Sequence, residues 1–220
     1  MTNVGARRIA AAAVALVMGI TAFAGCSRTA PTVPEESSPS ASVGTSPFTT
    51  SPTPTPEEID PDDPADPDSW VITDSGIGPV NVGDDFPDVL DEIKPSGIGT
   101  LDTCDGVAYG VAEDNAYDVI VIKDRFKGTD DVVEVSVGWI GDTMGVGPRT
   151  EEDLGLGSTK AQVLGAYEKA TEQPSDIADN SYVVIDDETS KLVFTYRDGY
   201  DGAVAVSTLT GKQPSYEPCA

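Results

Sequence analysis

The side chains able to do chemistry are few in kind. The 220 residues include three cysteines, 38 aspartates and glutamates, 13 lysines and arginines and no histidine, for a net charge of −25. Without histidine, neither a Ser-His-Asp nor a Cys-His nucleophile can be assembled. A histidine-bearing zinc site is excluded too, and three thiols fall short of a Cys₄ site. Carboxylates could work in pairs across a glycosidic bond. They are spread along the whole chain, however, and no pair stands apart. The sequence therefore assigns no catalytic residue, no cofactor and no metal. A chain this acidic is repelled by phosphate backbones, which argues against nucleic acid as a partner. Basic proteins, cations and neutral glycans remain.

One thiol has a distinctive setting. Arg7 and Arg8 precede a charge-free apolar run, Ile9 to Phe23, which ends in Ala24-Gly25-Cys26. The run is shorter than the ~20 apolar residues of a bilayer span and reads as a secretory signal. Phe23-Ala24-Gly25-Cys26 resembles the lipobox of bacterial lipoproteins, although Phe stands where an aliphatic residue is usual. The resemblance implies cleavage after residue 25 and a diacylglycerol on Cys26. That would anchor the chain to the outer face of the cell membrane. Two acyl chains hold stably where one does not. Composition rich in Ala, Gly, Asp, Pro and Val and poor in Lys and Asn suggests a high-GC bacterium, and together with the lipobox the chain resembles an actinobacterial envelope protein.

Three segments follow: a signal over 1–25, a linker over 26–69 and a domain over 70–220. The linker is dominated by Ser, Thr, Pro and acids, and it cannot bury enough apolar surface to offset its ordering entropy. Extended polyproline at ~3.1 Å per residue would let it reach on the order of 100 Å into a cell wall. Two thiols remain in the domain, Cys104 and Cys219. Outside the cell they are expected to pair as a disulfide. A redox pair would need a Cys-x-x-Cys spacing that is absent.

The elements that must position these groups show an internal repetition. Val82 to Leu90 aligns with Leu156 to Leu164, and Tyr117 to Ile122 aligns at the same offset with Lys191 to Tyr196. After a slip of three, Asp130 to Ser136 aligns with Asp201 to Ser207. Thr159 and Gln162 form a capping-box pattern, and Asp85 and Asp88 stand at the same places in the first copy. Val89, Leu90 and Ile93 would share a helical face, as would Val163, Leu164 and Tyr167. Val133, Val135 and Val137 alternate with Glu134 and Ser136, the pattern of a sheet with one buried face. Asp-Gly at 198–199 and 201–202 and Lys127-Gly128 mark hairpin turns. The expected fold class is α+β: two tandem helix-strand-strand-strand repeats, about 76–140 and 150–210, forming an antiparallel sheet with the helices packed on one face. Gly155 to Lys160 hints at a phosphate-cradling turn, but it lacks the P-loop spacing and reads better as a helix cap.

Gly83 to Leu90 and Gly157 to Leu164, each leading into valine-rich strands, make the domain resemble the β-lactamase-inhibitor-protein-like fold. That resemblance implies a non-catalytic scaffold whose open sheet face meets another protein. Aromatics that could serve such a face are Trp70, Tyr109, Trp139, Tyr182, Tyr196 and Tyr200, with Trp139 and Tyr200 chosen as exposed partner contacts. The functional expectation is a lipid-anchored surface module that binds an envelope protein. The alternatives are a cell-wall glycan binder, a carboxylate-based envelope hydrolase or a structural spacer.

Overall fold

A computed structural model describes residues 63–112, 116–141 and 144–219. The signal, Cys26 and nearly all of the linker lie outside the described residues. Of those described, 39% are strand and 14% helix. A short ribbon comes first, β1 (Gly76–Ile77) and β2 (Val80–Asn81). Helix α1 (Phe86–Ile93) leads into β3 (Gly99–Leu101), β4 (Cys104–Ala112), β5 (Tyr117–Lys123) and β6 (Val132–Trp139). Helix α2 (Lys160–Ala166) leads into β7 (Thr171–Pro174), β8 (Asn180–Asp186), β9 (Lys191–Arg197) and β10 (Ala205–Leu209). Strands β3 to β10 form one antiparallel sheet in the order β3-β4-β5-β6-β10-β9-β8-β7.

This corrects the expected fold class. The chain is mostly β, with one continuous eight-stranded sheet in place of tandem helix-strand-strand-strand repeats. Four strands, not three, follow each helix. The layer over the buried face is also largely non-helical. Trp70, Ile72, Ile77 and Val80 reach it from the N-terminal segment, and Leu154 and Leu156 from the connection before α2. The helices add Phe86, Val89 and Ile93 from α1 and Val163 from α2. Helices this short cannot roof eight strands, so irregular chain supplies the remaining apolar cover.

Local chemistry explains how each piece is set. Asp85 caps α1 by accepting from the Asp88 amide at 3.3 Å, and Pro87 occupies the first turn, where its missing N–H has no cost. Thr159 caps α2, and the Gln162 side chain accepts from the Thr159 amide at 2.8 Å, closing a full capping box. The turn at 155–160 is thus a helix start. Trp70 is sunk in the core, its indole N–H donating to the Asp63 carbonyl at 2.8 Å. Gly78, at φ +56°, lies so close beneath the ring that a Cβ there would fall 2.3 Å from it.

The alternation in β6 holds except at one step. A bulge between Ile122 and Lys123 sets Val132, Val135 and Val137 on the core face. Val133, expected with the latter two, instead packs with Cys104, Val107 and Ile122 on the opposite face. Glu134 and Ser136 face away from the core as expected, yet both are buried. The second face is therefore covered over part of its area.

Ile93 is fully buried where α1 meets the sheet. Ile93→Ala should lower the unfolding free energy by about 2–5 kcal/mol, read from urea denaturation of the full chain.

Candidate functional site

The second sheet face holds a trough of about 270 Å³ along the junction of β6 and β10. Cross-strand pairing builds it. Asp118, Gly138, Ala205, Thr195 and Tyr182 are successive partners across β5, β6, β10, β9 and β8. Directly opposed residues point to the same face. One step along, Ile120, Ser136 and Ser207 form the next row. The floor is low because its central residues are glycine, alanine and serine. Larger side chains rise on both sides, and Asn180 and Arg197 close one end.

The other end is closed by the C-terminal tail. The Thr210 amide donates to the Val133 carbonyl at 3.0 Å, and Gln213 Nε2 donates to Asp176 Oδ2 at 2.5 Å. The Ser215 amide donates to both Glu134 oxygens, at 3.0 and 3.2 Å. A disulfide between Cys104 and Cys219 then ties the tail to β4. Pro214, Ser215 and Tyr216 form the wall, with Tyr216 59% exposed. The disulfide expected from the sequence thus fixes the tail whose Pro214, Ser215 and Tyr216 wall this end.

Two carboxylates give the trough its electrostatic character. Asp118 is half-buried, and its Oδ1 lies over Gly138, 2.5 Å from where a Cβ would stand. Only glycine leaves room for it there. Desolvation pushes its pKa from 3.8 up to about 6, against the lowering effect of backbone N–H bonds from Gly138 and Asp118 itself. Glu134 is nearly inaccessible, and burial raises its pKa despite the donations from Ser215. Burial, and then the charge of Asp118, raises the Tyr109 phenol. Arg197 sits exposed at the rim. Thr195 Oγ1 is buried in the lining with no hydrogen-bond partner among the described residues, a costly state for a hydroxyl. Tyr182 is satisfied, its hydroxyl 2.8 Å from Ser175 Oγ.

Of the chosen aromatics, one borders the trough and one does not. Trp139 pairs with Tyr117 of β5, so its indole sits on the core side, packed against the main cluster. Tyr200 meets it edge-on, with ring centroids 5.3 Å apart, and is 43% exposed. Trp139 also lines the trough, whereas Tyr200 stays outside it. Trp139 Nε1 is buried and unpartnered among the described residues. Trp70 and Tyr196 belong to the core, and Tyr182 lies on the trough face. Cys26 falls outside the described residues.

Sequence reasoning missed Asp118 and Thr195. The signal for Asp118 was present, because it alternates with Tyr117, Val119 and Val121 and so shares a face with Ile120 and Ile122. Also missed was Phe126, 98% exposed at the β5–β6 hairpin tip between Arg125 and Lys127. Asp124 Oδ1 holds that tip by accepting from the amides of Phe126 and Lys127 at 3.0 and 2.9 Å.

Among the described residues, no group of three or more acids or cysteines is placed to hold a metal ion. No described helix is long and apolar enough to cross a membrane. The chain matches no protein-family model and no curated protein. A crystal structure of an extracellular protein containing a SCP domain, from Bacillus anthracis str. Ames, is similar over 58% of this chain and 43% of that one, at 14% identity and a TM-score of 0.33. This chain spans less than half the length of that protein, and a likeness so shallow assigns it neither family nor function.

The raised Asp118 pKa has a stability consequence. The folded state takes up this proton before the unfolded state does, so the contribution is complete at low pH and is lost as pH rises through about 6. Glu134 acts in the same direction. An NMR titration should find the Asp118 midpoint near 6. Asp118→Asn should flatten the decline in stability between pH 4 and 6 that this proton predicts for the wild type, read from urea denaturation at each pH.

Proposed function

We propose that this chain is a non-catalytic protein-binding module of the cell surface. A lipid on Cys26 holds it to the outer face of the membrane, and the 27–69 stalk carries the domain into the cell wall. The partner docks on the second sheet face, over the trough. The observation that carries this reading is the trough itself: a low floor of Gly138, Ala205, Ser136 and Ser207, built into the centre of a rigid sheet and left uncovered between the tail and Arg197. A partner meeting a rigid surface loses little to ordering it.

Elsewhere the second face is covered in part. Tyr182, Val184, Val193 and Leu209 form one small apolar cluster there, and Cys104, Val107 and Ile122 another. The tail, fixed by Glu134 and the disulfide, adds a wall at one end. Chain spent on shaping one end of a trough, rather than burying it, favours a surface kept open for use. The absence of histidine and the lack of any distinguishable acid/base pair support a binding role over a hydrolytic one.

Two experiments test this. A photoreactive benzoylphenylalanine replacing Ile120 in the full-length chain, irradiated on intact cells, should form an adduct with one protein. The same group replacing Glu92 on α1 should not. Equal adducts from both positions, or none from 120, would reject the trough as the docking face. Separately, Cys26→Ala should move the protein from the membrane fraction to the medium or wall fraction, and retention in the membrane would reject the lipid anchor.

A further inference from the structure

Asp118 is a half-buried carboxylate without a cation. No ion pair of the described residues includes it. Its partners are backbone amides, from Gly138 and from its own residue. The neighbouring elements bring it no compensation. Val111 opposes it on β4, with Tyr109 nearby, and Gly138 opposes it on β6. Glu134, further along the same trough, adds a second negative charge and is occupied by Ser215. Arg197 is the single cation of the lining and stands exposed at the far rim, on β9. Across the floor from Asp118, Thr195 is only 8% exposed, its Oγ1 shut off from solvent and without a partner among the described residues. In that cross-strand row only Gly138 and Ala205 stand between the two, so the floor beside the carboxylate is low.

We propose that the trough receives an arginine side chain of the partner, its guanidinium held by the Asp118 carboxylate above the Gly138 and Ala205 floor. The inference rests on the docking face proposed above and names the chemistry that the face selects. A guanidinium suits the site for three reasons. It is planar, so it can lie along the low floor. It carries donors on several edges, enough to meet both oxygens of a carboxylate. It also supplies the positive charge that an unpaired carboxylate in a desolvated position lacks. On a chain of net charge −25, a basic partner is also favoured at long range. Small floor residues are required, since a Cβ at 138 would collide with Asp118.

The test uses N-acetyl-arginine amide as probe and N-acetyl-citrulline amide as its neutral isostere. Amide NMR spectra of the full chain are recorded during titration at fixed ionic strength. The expected result is saturable shifts at Gly138, Ala205 and Thr195 with the arginine probe and none there with the citrulline probe. Asp118→Asn, whose spectrum also reports whether the fold is kept, should weaken binding by about 10-fold or more. Should that variant not fold, wild type alone suffices: its arginine affinity should fall as pH drops through the Asp118 titration. Shifts scattered over the acidic surface without saturation at the trough would overturn the proposal, as would equal response to citrulline. The two readings fail separately. Adducts from position 120 that persist unchanged in Asp118→Asn, with no arginine binding, would leave the docking face and remove the arginine. Arginine binding without adducts would leave a cation site and remove the protein partner.

Discussion

Pairing of β6 with β10 is the interaction on which the rest depends. It runs from Ala205 opposite Gly138 to Leu209 opposite Glu134, and it joins four strands on each side into one sheet. Without it there would be two four-strand sheets, each with an exposed edge able to pair with other chains. With it, β6 and β10 become the centre of the sheet and the outer edges fall on the short strands β3 and β7. Valines on the core side of the seam, Val135, Val137 and Val206, are fully buried. The same strands supply the trough floor on the other side. One set of backbone bonds therefore fixes both the core and the candidate site.

This arrangement also explains why polar residues are buried at the centre of the second face. Strand alternation that puts Val135 and Val137 in the core must put Glu134 and Ser136 opposite them. At a sheet edge they would be wet. At the seam they lie between neighbouring strands and beneath the tail. Glu134 is tolerable there because the Ser215 amide donates to both its oxygens. The disulfide holds that tail in place, so the acid and the covalent bond support the same wall.

Much of the local structure was legible from residue types. The caps at Asp85 and Thr159, the strand alternation of β5 and the pairing of the two domain cysteines all rest on short-range or compositional rules. The sheet's extent was not legible, because nothing local in β6 names β10 as its neighbour. The covering layer was misjudged for a related reason. Trp70, Ile77 and Leu156 sit in segments without periodicity, and their burial depends on docking against strands far away in sequence. The bulge that turned Val133 over leaves no trace in an alternating valine run. The packing of Trp139 was not legible, because an aromatic at a strand end has the same pattern whether it faces solvent or core. Asp118 was overlooked because acids are abundant, and only Gly138 opposite it sets it apart.

Native-state amide hydrogen exchange on the full chain addresses the seam most directly. If β6 and β10 are the centre of one sheet, the amides of Val137 and Ser207 exchange only through global unfolding, with the same opening free energy as the inner residues of β5 and β9. Seam amides that exchange well before those strands would show two separately stable halves, and neither the core nor the trough could then owe its form to a single continuous sheet.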